Sequence, residues 1–332
     1  MSHSNIALFV ANAGCPYRCT FCNQFTITGE PETAKPEDVA PAVETALRSG
    51  TKHAQIAFFG GSFTAIPRDY MISLLEAARP FVEDGSVTGI RLSTRPDCID
   101  DEILDILQAY GTEAIELGAQ SMSDSVLTLN RRGHCAEDVV RASEKIRSRG
   151  LELGLQMMTG LYGSTPETDL KTAQELIALK PQTVRIYPTI VIEGTELARL
   201  YREGKYVPQT LDEAADLGAR LLLSFEQNGI RVIRLGLHSG GNVEEGYVAG
   251  PYHPAFRELC EGKIYLQAAK DALRGRKPGP YTLYVRPSEI SKMTGQKRKN
   301  IIELDQYNFH CRVRPDSGLR KYEVRVGGSE WY

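Results

Sequence analysis

Six times in its first two thirds the chain passes from a short apolar run into a longer amphipathic stretch. The apolar runs are residues 6–11, 54–59, 88–94, 114–119, 151–158 and 183–187. Helical spacing of apolar side chains follows over 36–48, 68–82, 100–110, 124–129 with 136–149, 167–179 and 211–228. Strands that alternate with helices in this way are joined by one-sided crossovers and pair in parallel. The runs read as near-continuously apolar, as coverage on both faces requires. Asp100 stands where an N-cap belongs, and Thr165-Pro166-Glu167 puts proline at a first helical position. The expected class is α/β with a parallel sheet.

The rhythm stops after about residue 233. Residues 237–254, rich in Gly, His and Tyr, read as an extended loop, and a helix is expected over 255–273. Short strands are expected at 281–285 and 322–326, within a basic region. We therefore place a body at 1–235 and a small α+β extension at 236–332. At about 150 residues per domain, 332 residues fit one large domain with an appendage, or two domains.

Apolar content of 42% with 24% charged residues excludes a disordered chain. No apolar run approaches the roughly 18 residues of a membrane span. Cys15 to Cys22 lie where a signal-peptide cleavage region would sit, so a soluble cytoplasmic protein is expected. Charge is divided unevenly. Residues 1–273 carry 26 basic and 36 acidic side chains, a net of −10, whereas 274–332 carry 13 and 6, a net of +7. A basic extension on an acidic body fits a polyanionic partner or a solvated surface.

Three of the seven cysteines, Cys15, Cys19 and Cys22, fall within eight residues. An odd count argues against a disulfide framework. Cys98, Cys135, Cys260 and Cys311 are dispersed, as small buried apolar groups are. Three thiolates on one tight loop can hold three irons of a 4Fe-4S cluster and leave the fourth open. An open metal position is where a substrate or cofactor binds. From spacing alone, a zinc loop lacking its fourth ligand and three unrelated thiols are the alternatives.

With Phe21 before the last cysteine, the motif resembles the radical S-adenosylmethionine (SAM) superfamily. The resemblance implies a partial (β/α)6 barrel, a 4Fe-4S cluster on Cys15, Cys19 and Cys22, and SAM chelating the open iron. It further implies an electron donor such as flavodoxin or ferredoxin, and reductive cleavage of SAM to a 5′-deoxyadenosyl radical that abstracts hydrogen from a substrate. Phe58-Phe59-Gly60-Gly61-Ser62 ends the second strand, where the family contacts SAM through backbone carbonyls. Thr94, in Ser93-Thr94-Arg95-Pro96-Asp97, ends the third strand. Gln120 and Arg132 hold places that contact SAM in the oxygen-independent coproporphyrinogen oxidase branch, and Gln156 matches a SAM-contacting Asp. An arginine suits a carboxylate partner chemically.

A narrower resemblance is to the radical SAM half of the Elongator catalytic subunit, which modifies wobble uridine in tRNA. It rests on Thr94-Arg95-Pro96-Asp97, Leu117-Gly118-Ala119-Gln120-Ser121, Asn130 with Arg132-Gly133-His134, and the run from Arg185 to Thr195. That family spaces its first two cysteines more widely and carries an acetyltransferase-like domain, for which this sequence leaves no room. The function expected is radical modification of tRNA or another RNA. The rivals are radical chemistry on a small molecule such as a tetrapyrrole, and a non-catalytic iron–sulfur RNA-binding or redox-sensing protein.

In the extension Lys292, Lys297, Arg298 and Lys299 cluster, with Arg312, Arg314, Arg320 and Lys321 later. Tyr281, Tyr284, Tyr307, Phe309 and Tyr322 are interleaved. Basic groups for phosphates and aromatics for unpaired bases fit RNA; a basic surface over an aromatic core is the alternative. His238, Tyr252 and His253 stand on the loop that closes the barrel's open side, as substrate contacts or as structural residues. No acid or base is singled out.

Overall fold

A computed structural model describes residues 4–10, 13–15, 18–23, 26, 32–237 and 241–328. Its main sheet has seven parallel strands in sequence order: β1 (Ser4–Phe9), β2 (Ala54–Phe59), β3 (Gly89–Thr94), β4 (Thr112–Gln120), β5 (Glu152–Thr159), β6 (Thr183–Pro188) and β8 (Arg231–Leu235). The sheet curls into a partial barrel. Its covering helices are α1 (Pro36–Arg48), α2 (Arg68–Glu83), α3 (Asp101–Ala109), α4 (Asp124–Leu129), α5 (Ala136–Ser148), α6 (Pro166–Ala178) and α8 (Leu211–Gln227). Most of them lay an apolar stripe on the sheet; in α2 it is Met71, Leu74, Leu75 and Ala78, the spacing of one helical face. Each fully buried leucine of this kind contributes about 1.5–3 kcal/mol. Asp100 caps α3 by accepting from the Ile103 N–H, and Thr165 caps α6 ahead of Pro166.

Two features depart from expectation. The sheet has seven strands rather than six, because β8, with two arginines in five residues, carries little apolar signal. The strands also have two unlike faces. Ile56, Ile90, Leu92, Ile115, Leu117, Leu153 and Leu155 belong to the apolar core. Intervening positions bear Gln55, Arg91, Glu116, Gln156 and Arg185, which join in one polar network inside the barrel. Gly154 makes room for it: a Cβ there would lie 2.8 Å from Glu116 Cγ.

After β6, β7 (Val191–Ile192) and α7 (Glu196–Arg202) precede α8. Residues expected to form an extended loop instead hold α9 (Gly241–Gly246) and β9 (Tyr247–Ala249), and β9 pairs antiparallel with β7. That partner lies outside the local sequence, so the loop's own composition hides it. The expected long helix is α10 (Phe256–Leu273). It packs on α8 where Gly218 leaves space for Cys260: a Cβ at Gly218 would lie 2.7 Å from its sulfur. Beyond it lie β10 (Gly279–Val285), α11 (Ile290–Thr294), α12 (Lys299–Gln306), β11 (Phe309–Pro315) and β12 (Arg325–Gly327). These strands form a second sheet in the order β11-β10-β12. The strand expected at 322–326 is therefore shorter and later, because Tyr322 lies in a turn and packs against Tyr265. No helix among the described residues is long and apolar enough to cross a membrane.

Candidate active site

The cysteine loop leaves the C-terminal end of β1 and rests on the loop after β2. The Ser62 N–H donates to the Ala13 carbonyl at 3.0 Å, and the Val10 N–H donates to that of Phe59 at 2.8 Å. The approach is too close for side chains. A Cβ at Gly61 would lie 2.4 Å from the Ala13 oxygen, and one at Gly14 would lie 2.3 Å from the Ser62 oxygen. Gly14, Gly60 and Gly61 all have positive φ, which glycine adopts without penalty.

The far end of the loop is pinned by Asn130. Its backbone carbonyl accepts from the Thr20 N–H, and its side-chain oxygen accepts from the Thr20 hydroxyl at 2.8 Å. Its amide nitrogen donates to the carbonyls of Val126 and Tyr162. Phe21 is buried among Val126, Leu161, Leu197 and Tyr206, with Cys19 and Cys22 packed at the margin of this cluster. Cys15 is exposed and Cys19 and Cys22 are half-buried. Burial, with Cys19 and Cys15 close by, pushes the Cys22 thiol up to about 12. Thiols so placed stay protonated unless positive charge compensates them, as metal does for a ligating thiolate. Among the described residues no three His, Cys, Asp or Glu side chains stand close enough to share a single metal ion. The ligating sulfurs of a 4Fe-4S cube bind separate irons.

Arg132 reaches the loop from the barrel. It donates through Nη1 to Cys19 Sγ at 3.2 Å and through Nη2 to the Gly118 carbonyl at 2.7 Å, while its buried Nε has no partner among the described residues. Gln120 sits beside it at the end of β4, in the left-handed region with φ of 64°. Its buried Oε1 also lacks a partner among the described residues. A Cβ on Gly118 would lie 3.1 Å from Gln120 Nε2 and 3.4 Å from Arg132 Nη2. His134 is held by its Nε2 against the Ala119 carbonyl at 3.2 Å, and burial brings its pKa down to about 4, so the ring is neutral. Non-glycine backbone strain and orphaned buried polar atoms cluster at ligand sites.

The remaining residues singled out from sequence divide into three groups. Thr94 ties strand ends together, its hydroxyl lying 3.0 Å from that of Ser62 and 2.6 Å from that of Thr64. Gln156 joins the inner network, donating to Glu116 at 3.2 Å. His253 accepts from the Ala255 N–H at the start of α10, Tyr252 reaches Glu244, and His238 lies outside the described residues. Sequence reasoning missed the floor of this bowl. Glu116 takes two hydrogen bonds from Arg185, at 2.5 and 3.0 Å, and one from Arg91 at 3.3 Å. Charged residues at alternate positions of strands were the signal.

The sequence pattern of the Radical SAM superfamily matches residues 10–176, half of the chain. The chain belongs to the radical SAM superfamily. A Radical_SAM C-terminal domain pattern follows at 181–265. An uncharacterized protein of Methanocaldococcus jannaschii is 32% identical over 216 residues, 60% of this chain and 65% of that protein. The tRNA uridine(34) acetyltransferase of the same organism is 29% identical over 187 residues, 50% of this chain and 35% of that enzyme. The solved archaeal Methanocaldococcus infernus Elp3, with its N-terminus deleted, shares the fold with a TM-score of 0.65 and 22% identity, over 82% of this chain and 64% of that one. The chain thus spans about two thirds or less of the length of each. Proteins of this superfamily work with a 4Fe-4S cluster and SAM.

Proposed function

We propose that this radical SAM enzyme modifies a base in tRNA in the cytoplasm. Cys15, Cys19 and Cys22 would hold the cluster, and Gly60, Gly61, Ser62, Thr94, Gln120, Arg132 and Gln156 would surround SAM. The observation that carries the site is the double reach of Arg132, to Cys19 sulfur and to the Gly118 carbonyl, beside the unpartnered Oε1 of Gln120. The residues present fit both groups: three thiols for iron, and a glycine-floored cradle with free polar atoms for a charged amino acid moiety. The chemistry supplied there, once both are bound, is one-electron cleavage of a sulfonium bond and hydrogen abstraction from substrate. Arg132 compensates negative charge on Cys19 and offers its Nε to a carboxylate. Phe21 excludes water beneath the cysteine loop. Ser62 and Thr94 fix the spacing of two strand ends. A flavodoxin or ferredoxin would supply the electron.

The tRNA reading draws on the tRNA-modifying relative and on the net +7 of residues 274–332. We assign that role to the extension, 236–332, and the radical chemistry to the barrel, 1–235. Mass spectrometry of nucleosides from total tRNA of a deletion strain tests it. Loss of one modified nucleoside is expected. Unchanged tRNA, with SAM cleavage intact in the purified protein, would move the assignment to a small molecule such as a tetrapyrrole. A cluster without SAM cleavage would identify a non-catalytic iron–sulfur protein.

A further inference from the structure

The C-terminal sheet has two unlike faces. One carries Leu283, Val285 and Cys311 into a core with Tyr265 and Met293, and draws in Tyr281, Phe309 and Tyr322. Those three aromatics, noted above as candidates for bases, are therefore core residues. Part of the basic cluster is also spent within the protein: Lys292 pairs with Glu261 and Glu289, Lys299 with Asp212, and Lys321 with Glu226.

The opposite face is different. Register places Arg314 of β11, Tyr284 of β10 and Arg325 of β12 in one row across the strands. The Arg325 guanidinium lies 4.2 Å from the centre of the Tyr284 ring. Gly327 lets the ring lie against the backbone of β12, because a Cβ there would come within 2.7 Å of Tyr284 Cε2. Arg314 and Arg325 are exposed. Arg325 also pairs with Asp316 at 2.7 Å, and Arg314 has no ion pair among the described residues. Arg312, also exposed, follows in the next row, opposite Thr282. The backbone positions of Arg314 and Arg325 stand two strand spacings apart, about 10 Å, on either side of the Tyr284 strand.

We propose that this face is a platform for single-stranded RNA: Tyr284 stacks an unpaired base, and Arg314 and Arg325 take the phosphates on either side. The choice of occupant follows from complementarity. A surface of net positive charge selects a polyanion. A ring set between two cations matches a flat base between phosphates, whereas a duplex buries its base faces. The proposal rests on the RNA reading above, and deepens it by naming the surface and the feature of RNA that it takes.

The test uses the full chain with tRNA, a single-stranded RNA oligonucleotide and a duplex of equal length, across a salt series. Wild-type protein is expected to prefer the single strand over the duplex. Tyr284→Ala should lose about tenfold in affinity for it, and Tyr284→Phe, which keeps the ring, should not. Arg314→Gln should reduce the steepness of the log–log salt slope by about 0.7, the share of one phosphate on a single strand. SAM cleavage without substrate should be unchanged in all three, which also shows that they fold. If tRNA binds and Tyr284→Ala leaves the affinity unaltered, the platform is wrong and the RNA reading stands. If wild-type protein binds no RNA at low salt, both fall.

Discussion

Arg132 and Cys19 are 113 residues apart in sequence, and their side chains meet at 3.2 Å. The contact ties the loop after α4 to the cysteine loop, and so gives each a separable role.

Substituting Cys15, Cys19 or Cys22 by Ala should remove most iron from anaerobically reconstituted protein. Changing Cys98, Cys135, Cys260 or Cys311 should leave the iron in place, since the first two turn their thiols to Asp97 and Asp138 and the last two are buried in apolar cores. Iron content and the visible absorption of the cluster are the readouts. A distal cysteine that proved equally necessary would overturn the three-thiolate assignment.

Arg132→Ala and Gln120→Ala should weaken SAM binding by tenfold or more, about 1.4 kcal/mol each, while the cluster is retained. Gly118→Ala should do the same by crowding, because its new methyl meets the Gln120 and Arg132 side chains at 3.1 and 3.4 Å. Equilibrium dialysis with SAM measures this. Unchanged affinity in all three would remove them from the SAM site without touching the family.

Glu116→Gln should destabilise the barrel. Glu116 is 1% exposed and Arg91 4%, so a neutral residue leaves two arginines without their shared carboxylate. Breaking one partner out of a buried pair costs about 3–5 kcal/mol. Urea unfolding would show a lower midpoint with an unchanged slope. A midpoint equal to wild type would mean that water reaches the network.

Stability should fall as pH rises through the mildly acidic range because of Asp169. Burial pushes its carboxyl up to about 7, although it accepts the Gly160 N–H at 2.9 Å. The unfolded carboxyl ionises near about 3.9. Below that value both states hold the proton and pH has no effect. Between about 4 and 7 only the unfolded state gives it up, so the unfolded state gains; above about 7 the loss is complete. Asp169→Asn should melt at a higher temperature than wild type at pH 8, with the difference narrowing toward pH 4. Parallel melting curves across that range would contradict it.

Much of this fold is local and was legible as such. The helix Asp124–Leu129, the cap at Asp100 and the Pro166 start of α6 each depend on neighbours within a turn or two. The cysteine loop was equally plain, because its spacing is contained in eight residues. What the sequence concealed are meetings across strands. Arg185 and Glu116 are 69 residues apart, and only the parallel register of β4, β5 and β6, across the gap that Gly154 leaves on β5, turns two charges in apolar runs into a pair. β11 was hidden for the same reason: its alternation of Phe309, Cys311 and Val313 with His310, Arg312 and Arg314 reads as mere basic sequence until β10 lies beside it. Asn130 stands in a motif with Arg132, and nothing in the neighbouring sequence shows that it grips Thr20.

That grip has a further consequence. Asn130 holds the backbone of the cysteine loop, and two residues on Arg132 holds one of its sulfurs. Both belong to one short segment, so order gained at either end of it is shared. Thermodynamic reciprocity then applies: whatever factor a filled cluster adds to the affinity for SAM, bound SAM returns to cluster retention. The cell's supply of one small molecule would thereby set how tightly the enzyme holds its metal.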